Sequence, residues 1–323
     1  MRPGQAVRIF TGAPLPAGAD AVAMQEHVVA GPDGAIRPTG AIRPGDNIRR
    51  AGEDVALGDP LAPAGAVIDA RHIGLAAAVG LPTLPVLRRL RVALVSTGNE
   101  LAQAGQTLAP GQIFDSNRPM LMAALERPAL DVTDCGALPD DCSAIAAFLA
   151  DGAKRFDLIV ATGGASVGDE DHLAAALAQA GGAVDFARVA IRPGKPFAFG
   201  RVGGASLASL PGNPFAAFVA ALLFVRPMIE RALGQPATPF APLPARAGFA
   251  HPRAPTRTEF LPARLVERGR DGEPVIEPLG RGGSARLRPL IGADGLAVVP
   301  CGDTPVRVGD PVGYLPFGAA FSL

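Results

Sequence analysis

The chain has 323 residues, of which 30 are basic and 30 acidic, with 40 glycines, 33 prolines and three cysteines. That length exceeds one ordinary core and predicts roughly two or three domains. The zero net charge excludes a bulk nucleic-acid binder or a polybasic membrane-surface protein, leaving room only for a local basic pocket. Cys135, Cys142 and Cys301 form neither a disulfide framework nor a C-x-x-C motif, and the most apolar run, residues 215–225, is too short to span a bilayer. A cytoplasmic protein with reduced thiols is expected, with neither nucleic acid nor membrane as a partner.

In chain order, residues 1–90 open with β-like runs, AVRIF and AVAMQEHVV, broken by Gly/Pro turns. They close with a helical stretch near 71–80 and a proline-marked connection, so they read as a partial, β-rich N-terminal region with a linker. From 91 to 235, the strands RVALVST, LDVTDCG and FDLIVATGG alternate with the helical segments RPMLMAALE, DCSAIAAFLADGAK and HLAAALAQAG. This is the pattern of a three-layer α/β domain with a mostly parallel sheet. The run FAAFVAALLFVRPMIERALG is apolar for most of its length and predicts a buried helix. Residues 236–323, with EFLPARLVE, EPVIEPL, GLAVVP and DPVGYLPF between Pro and Gly, predict a small C-terminal β domain.

Chemistry concentrates at strand ends of the central domain, where open sheets bind ligands. VSTGNEL (95–101) leads to IFDSNRP (113–119), and TGGASVGDED (162–171) and SLPGNP (209–214) end two further strands. Glycines there expose N–H groups to phosphate or oxyanion. Each motif also has a plainer use. Asp115, Ser116 and Asn117 suit a helix cap, Pro214 suits a first helical turn, and Asp169, Glu170 and Asp171 suit a helix dipole. Adding Glu100 crowds carboxylates round one crevice, which is costly unless a cation compensates; Mg²⁺ is the economical candidate. In RVAIRPGKPFAFG, the cations Arg188, Arg192 and Lys195 flank a rigid Pro-Gly turn. A solvated face would explain them, but the constrained turn favours an anionic substrate. His27, His72, His172 and His251 have no metal-ligand spacing, and neither a nucleophile elbow nor a Walker A motif occurs, so transfer without a covalent protein intermediate is expected.

Taken together and in order, RIFTGAPLPAGADAV, NIRRAGEDV, ALVSTGNEL, IFDSNRPML, GGASVGDED, AIRPGKPFAFG and LPGNP closely resemble the molybdopterin molybdenumtransferase family, also called MoeA or gephyrin E-domain, over essentially the whole chain. The resemblance implies a MogA-like central domain and a cytoplasmic homodimer whose cleft lies between the central domain of one subunit and the β-rich domain of the other. It also implies an enzyme that takes adenylylated molybdopterin and molybdate, uses Mg²⁺ and releases AMP.

By the same resemblance, Gly163, Gly164 and Ser166 approach the phosphates, Asp171 with Glu100 holds or orients Mg²⁺, and Asp140 is a further acidic position. Arg188, Arg192 and Lys195 receive oxyanions, and Pro211 and Pro214 shape the cleft wall. Thr11, Arg49 and Asp54 reach the cleft from the opposing subunit, with Ser284 as a candidate from the C-terminal domain. A molybdopterin adenylyltransferase is an implied partner.

Three departures from the family pattern stand out. The usual N-terminal segment, with a helical stretch and an Asp-Gly-Tyr motif, has no counterpart, so a fragment, a misannotated start or a divergent protein is expected. Arginine stands for lysine at 188 and 192, and Pro262 stands where the family commonly has arginine. Two alternatives stay open: a molybdopterin adenylyltransferase, which the flanking β-rich segments disfavour, and a non-catalytic cofactor-binding or scaffold protein.

Overall fold

The computed structural model describes residues 1–163, 172–235, 241–269, 272–280 and 282–318. The chain divides into two compact units, one of residues 1–63 with 68–84 and the other of residues 64–67 with 85–323.

The first unit is built mainly of turns. Only the hairpin β1 (Val28–Ala30) and β2 (Ile36–Pro38) pairs within it, antiparallel. The run AVRIF joins no ladder among the described residues, and its Val7 and Phe10 side chains are exposed. Carboxylates tie the following turns: Asp46 accepts from Arg43 N, Glu53 from Arg50 N and Asp59 from Ala56 N. Helix α1 (Ala70–Ala78) starts at Asp69, whose carboxylate accepts from Arg71 N and His72 N while Asp69 N donates to the His72 ring. It stops where Gly80, at φ +80°, lets Leu81 N reach Ala76 O and Gly80 N reach Ala77 O. That pairing satisfies carbonyls a helix end otherwise leaves open.

The second unit begins with β3 (Leu90–Thr97), the short pair β4 (Leu101–Ala102) and β5 (Ile113–Phe114), α2 (Asn117–Leu125), β6 (Leu130–Leu138), α3 (Cys142–Arg155), β7 (Leu158–Thr162) and α4 (His172–Gln179). It continues through β8 (Ala183–Ala187), β9 (Ile191–Arg192), β10 (Ala198–Val202), β11 (Ala205–Leu210) and α5 (Pro214–Ala220). A π-helical turn over Ala221–Val225 leads into α6 (Arg226–Ala232). The main sheet has the order β6-β3-β7-β11-β10-β8, with the first four strands mutually parallel and β10 antiparallel to both neighbours. All residues of β7 and nearly all of β3 are buried, as expected for parallel strands covered on both faces. One core lies on the α2, α5 and α6 side and a second on the α3 and α4 side, which makes three layers.

The expected long apolar helix is present and buried, but it carries the π turn. Pro227 lacks an N–H and its ring clashes with the carbonyl four residues back; the wider turn, with Arg226 N bonded to Ala221 O, absorbs that clash. At the amino ends of β3 and β7, Asp157 accepts from both Arg88 Nη atoms at 2.6 and 2.8 Å and from Arg91 N and Nη2 at 2.9 Å. These two guanidiniums, Arg88 first, hold its carboxyl well below the usual carboxylate range.

The remaining strands β12 (Leu243–Ala247), β13 (Thr258–Arg268), β14 (Pro274–Pro278), β15 (Gly295–Val299) and β16 (Pro311–Pro316), with the short α7 (Arg288–Ile291) between β14 and β15, close into a small barrel in which β13 pairs with both β15 and β14. The central domain's β9 joins its flank beside β13. Pro262 sits in β13 with its carbonyl accepting from Leu279 N, so its missing N–H faces the β14 side and not the β15 ladder. Phe215, Phe218 and Val219 of α5 pack on Phe260, Leu296 and Leu315 of the barrel. Among the described residues no helix is long and apolar enough to cross a membrane.

Candidate active site at the strand ends

Four adjacent parallel strands, β6, β3, β7 and β11, run in one direction, and a candidate residue follows the carboxyl end of each. Asp140 follows β6, Glu100 follows β3, Gly163 follows β7 and Pro211 follows β11. The strands close in buried hydroxyls: Ser96 and Thr97 on β3, Thr162 on β7 and Ser209 on β11, none more than 3% exposed. A hydroxyl within a sheet core needs a partner, and those of Ser96 and Thr162 find theirs in the loops that follow.

Asp115 is the hub. One carboxylate oxygen accepts from Ser96 Oγ at 2.7 Å, and the other accepts from Asn117 N and Arg118 N at 3.1 Å, so it caps α2 while Ser116 makes no side-chain cap. Asn117 does more than start a helix. Its Nδ2 donates to Thr162 Oγ1 and to the Gly212 carbonyl, both at 2.7 Å, while Thr162 Oγ1 donates to Pro211 O at 3.3 Å. Thr97 Oγ1, Ser209 Oγ and Asn117 Oδ1 are buried with no hydrogen-bond partner among the described residues. A buried polar atom left without a partner costs about 1–3 kcal/mol.

The glycine at 163 is dictated by this crowding. Its φ is +94°, and a Cβ there would stand 2.2 Å from Thr97 O. Gly212 lies alongside, its own Cβ position 3.7 Å from Gly163 Cα. On the other flank, Asn99 N donates to Asp140 Oδ2 at 3.1 Å and Asp140 N to Asn99 Oδ1 at 3.3 Å, while Gly98 N donates to Leu138 O. The loops bearing Glu100 and Asp140 are therefore fastened together, and the exposed Glu100 carboxylate folds back over Gly98.

The cations come from one pinched loop. Arg188, at φ +64°, donates its N–H to Phe197 O, and Val189 N donates to Lys195 O, which sets the three basic residues on a short turn. That turn touches α5: the Cβ position of Gly194 is 3.8 Å from Ala216 O. Arg188 and Lys195 are exposed and pair with no carboxylate among the described residues. Arg192 is different, with Nη1 3.0 Å from the buried Glu259. Ser284 arrives from the C-terminal domain, and its carbonyl accepts from Ala216 N at 3.1 Å in the first turn of α5, behind Pro214.

Thr11, Arg49 and Asp54 are exposed residues of the first unit, outside its strands and helix. Gly164, Ser166, Asp169, Glu170 and Asp171 lie outside the described residues. His72 serves as a capping partner and His251 as a partner of Glu259. The buried hydroxyls and Glu259 escaped sequence reading. Their only trace was polar residues at the ends of otherwise apolar strands. Among the described residues no group of three or more His, Cys, Asp and Glu side chains is placed to hold a metal. The donors at hand, Glu100 and Asp140, are carboxylates, which suits a hard cation that completes its shell with water and phosphate oxygens.

Residues 1–80 match the MoeA N-terminal region (domain I and II), 93–231 match the "Probable molybdopterin binding domain" and 244–317 match the MoeA C-terminal region (domain IV). The chain is 40% identical over 230 residues to the molybdopterin molybdenumtransferase of Haemophilus influenzae, covering 71% of this chain and 57% of that one. It is 39% identical over 308 residues to molybdopterin molybdenumtransferase 2 of Mycobacterium tuberculosis, covering 93% of this chain and 74% of that one. The crystal structure of the molybdopterin biosynthesis moea protein from Pyrococcus horikosii superimposes with a TM-score of 0.76 at 29% identity, covering 94% of this chain and 74% of that one. The chain thus spans just over half of the Haemophilus relative and about three quarters of the other two. Matched along three successive regions and at this identity, the chain belongs to the molybdopterin molybdenumtransferase family, transferases of molybdenum cofactor biosynthesis.

Proposed function

We propose that this chain inserts molybdate into adenylylated molybdopterin and releases AMP, with Mg²⁺ as the assisting cation. The observation that carries the reading is that two kinds of charge follow the same end of one sheet. Glu100 and Asp140 project from fastened loops after β3 and β6, while Arg188 and Lys195 stand exposed on the turn against α5.

In this reading the backbone N–H groups about Gly163 and Gly212 meet the anhydride phosphates. Arg188, Arg192 and Lys195 take the oxyanions of molybdate and phosphate and neutralise the charge that grows on oxygen as a P–O bond of the anhydride breaks. Pro211 and Pro214 hold the wall, and Ser284 braces it through Ala216 N. Mg²⁺, held by Glu100 together with Asp171, would supply charge neutralisation at the phosphates. Asp140 keeps Glu100's loop in place through Asn99.

The same reading has Ser166 and Gly164 contact phosphate. It gives Thr11, Arg49 and Asp54 to the opposing subunit of a cytoplasmic homodimer, fed by a molybdopterin adenylyltransferase. The test is AMP release from purified protein supplied with adenylylated molybdopterin and Mg²⁺, with and without molybdate. Molybdate-dependent release supports the reading; no release in either case, from a protein with a cooperative melt, rejects it.

A further inference from the structure

Glu259 is charged yet only 2% exposed, a costly place for a carboxylate unless it is paired. Two groups pair with it. Oε1 lies 3.0 Å from Arg192 Nη1, and Oε2 lies 3.1 Å from His251 Nε2. A carboxylate only accepts, so that imidazole nitrogen carries the hydrogen. The backbone enforces the first contact, because β9 and β13 run parallel with Arg192 directly opposite Glu259. The Arg192 side chain is nevertheless 61% exposed while that of Glu259 is 3% exposed. One guanidinium nitrogen is anchored on Glu259 while most of the side chain stays exposed, on the loop that also carries Arg188 and Lys195.

We infer that Glu259 is a positioning residue: through its carboxylate, backed by His251, the C-terminal barrel fixes Arg192 in the one orientation that meets an incoming oxyanion. This deepens the molybdate reading above and rests on it. Charge alone predicts the opposite role, since a carboxylate beside the guanidinium weakens its pull on an anion, and neutralising Glu259 would then tighten anion binding. Positioning predicts that neutralising it loosens binding, because an unanchored arginine must be ordered by the ligand itself. The sign of the effect decides.

The experiment is calorimetric titration of the whole chain with molybdate, for wild type, Glu259→Gln, Arg192→Ala and the double variant, with thermal melts and the AMP-release assay alongside. Glu259→Gln is expected to weaken molybdate binding about tenfold, and the double variant to bind no more weakly than Arg192→Ala, the signature of one residue acting through the other. In the assay KM for molybdate should rise with kcat within about twofold. Should Glu259→Gln fail to fold, Glu259→Asp keeps the charge but withdraws it by one methylene, and is expected to weaken binding to a lesser degree. Unchanged or tighter binding in the folded variant, additive losses in the double variant, or no molybdate binding by wild type overturns the inference. The expected binding pattern without AMP release leaves it standing and rejects the activity reading alone.

Discussion

Asn117 bridges two strand ends that are far apart in sequence: its Nδ2 lies 2.7 Å from Thr162 Oγ1, at the end of β7, and 2.7 Å from the Gly212 carbonyl, just past β11. The residue is 7% exposed, so water does not readily replace it. Asn117→Ala should cost about 2 kcal/mol by leaving buried acceptors unpaired. Asn117→Asp, nearly the same shape, should cost more, because it turns a carboxylate oxygen toward the Gly212 carbonyl. Urea denaturation ranks the three proteins, and an aspartate variant as stable as wild type would remove the bridge from this account.

Gly163→Ala meets Thr97 O with its new methyl at 2.2 Å and starts from a φ of +94°. Backbone cannot yield there without moving β3, so a loss of about 2 kcal/mol or more is expected, with AMP release falling further as the loop is displaced. Gly212→Ala is the control, its nearest neighbour being Gly163 Cα at 3.7 Å, and should stay within about 0.5 kcal/mol of wild type. Equal stability of the two alanine variants in thermal melts would contradict the crowding described here.

Lys195 is exposed and bonds through its carbonyl to Val189 N, a contact alanine keeps. Lys195→Ala should therefore leave stability within about 0.5 kcal/mol while raising the molybdate concentration for half-maximal AMP release about tenfold. Lys195→Arg should recover part of that loss, because the charge returns in a different shape. A lowered melting temperature with an unchanged molybdate response would make the lysine structural.

The sheet was legible because parallel strands buried on both faces read as unbroken apolar runs, as in LIVAT and VALV. The carboxyl-end motifs were legible because Gly, Asn, Asp and Pro interrupt those runs. The network beneath them was not. Ser96 looks like one more strand residue until Asp115, nineteen positions on, returns to accept from it. Glu259 lies in another domain's strand, and its claim on Arg192 follows from the pairing of β9 with β13, a tertiary choice with no local signature. The π turn before Pro227 likewise needed the packed helix to declare itself, since a proline alone also permits a plain break. In the N-terminal unit, AVRIF has strand composition, but composition supplies no partner for its backbone.

At the far end of the sheet, Asp157 gives a pH-dependent contribution whose sign is fixed. Arg88 and then Arg91 hold its folded pKa below the unfolded value. The stabilisation is therefore fully present above the unfolded carboxylate pKa of about 4 and is lost as pH falls from there toward the folded value. Asp157→Asn should cost about 1–2 kcal/mol at neutral pH, toward the low end of charged hydrogen bonds because the Arg88 and Arg91 side chains are 64% and 44% exposed. The difference between wild type and variant should shrink on acidification below about pH 4, as protonation does to the wild type what the substitution has already done. Guanidinium melts at neutral pH and at successively lower values measure that difference. A gap that holds constant or widens with acid would mean the carboxylate is not what pins β3 to β7.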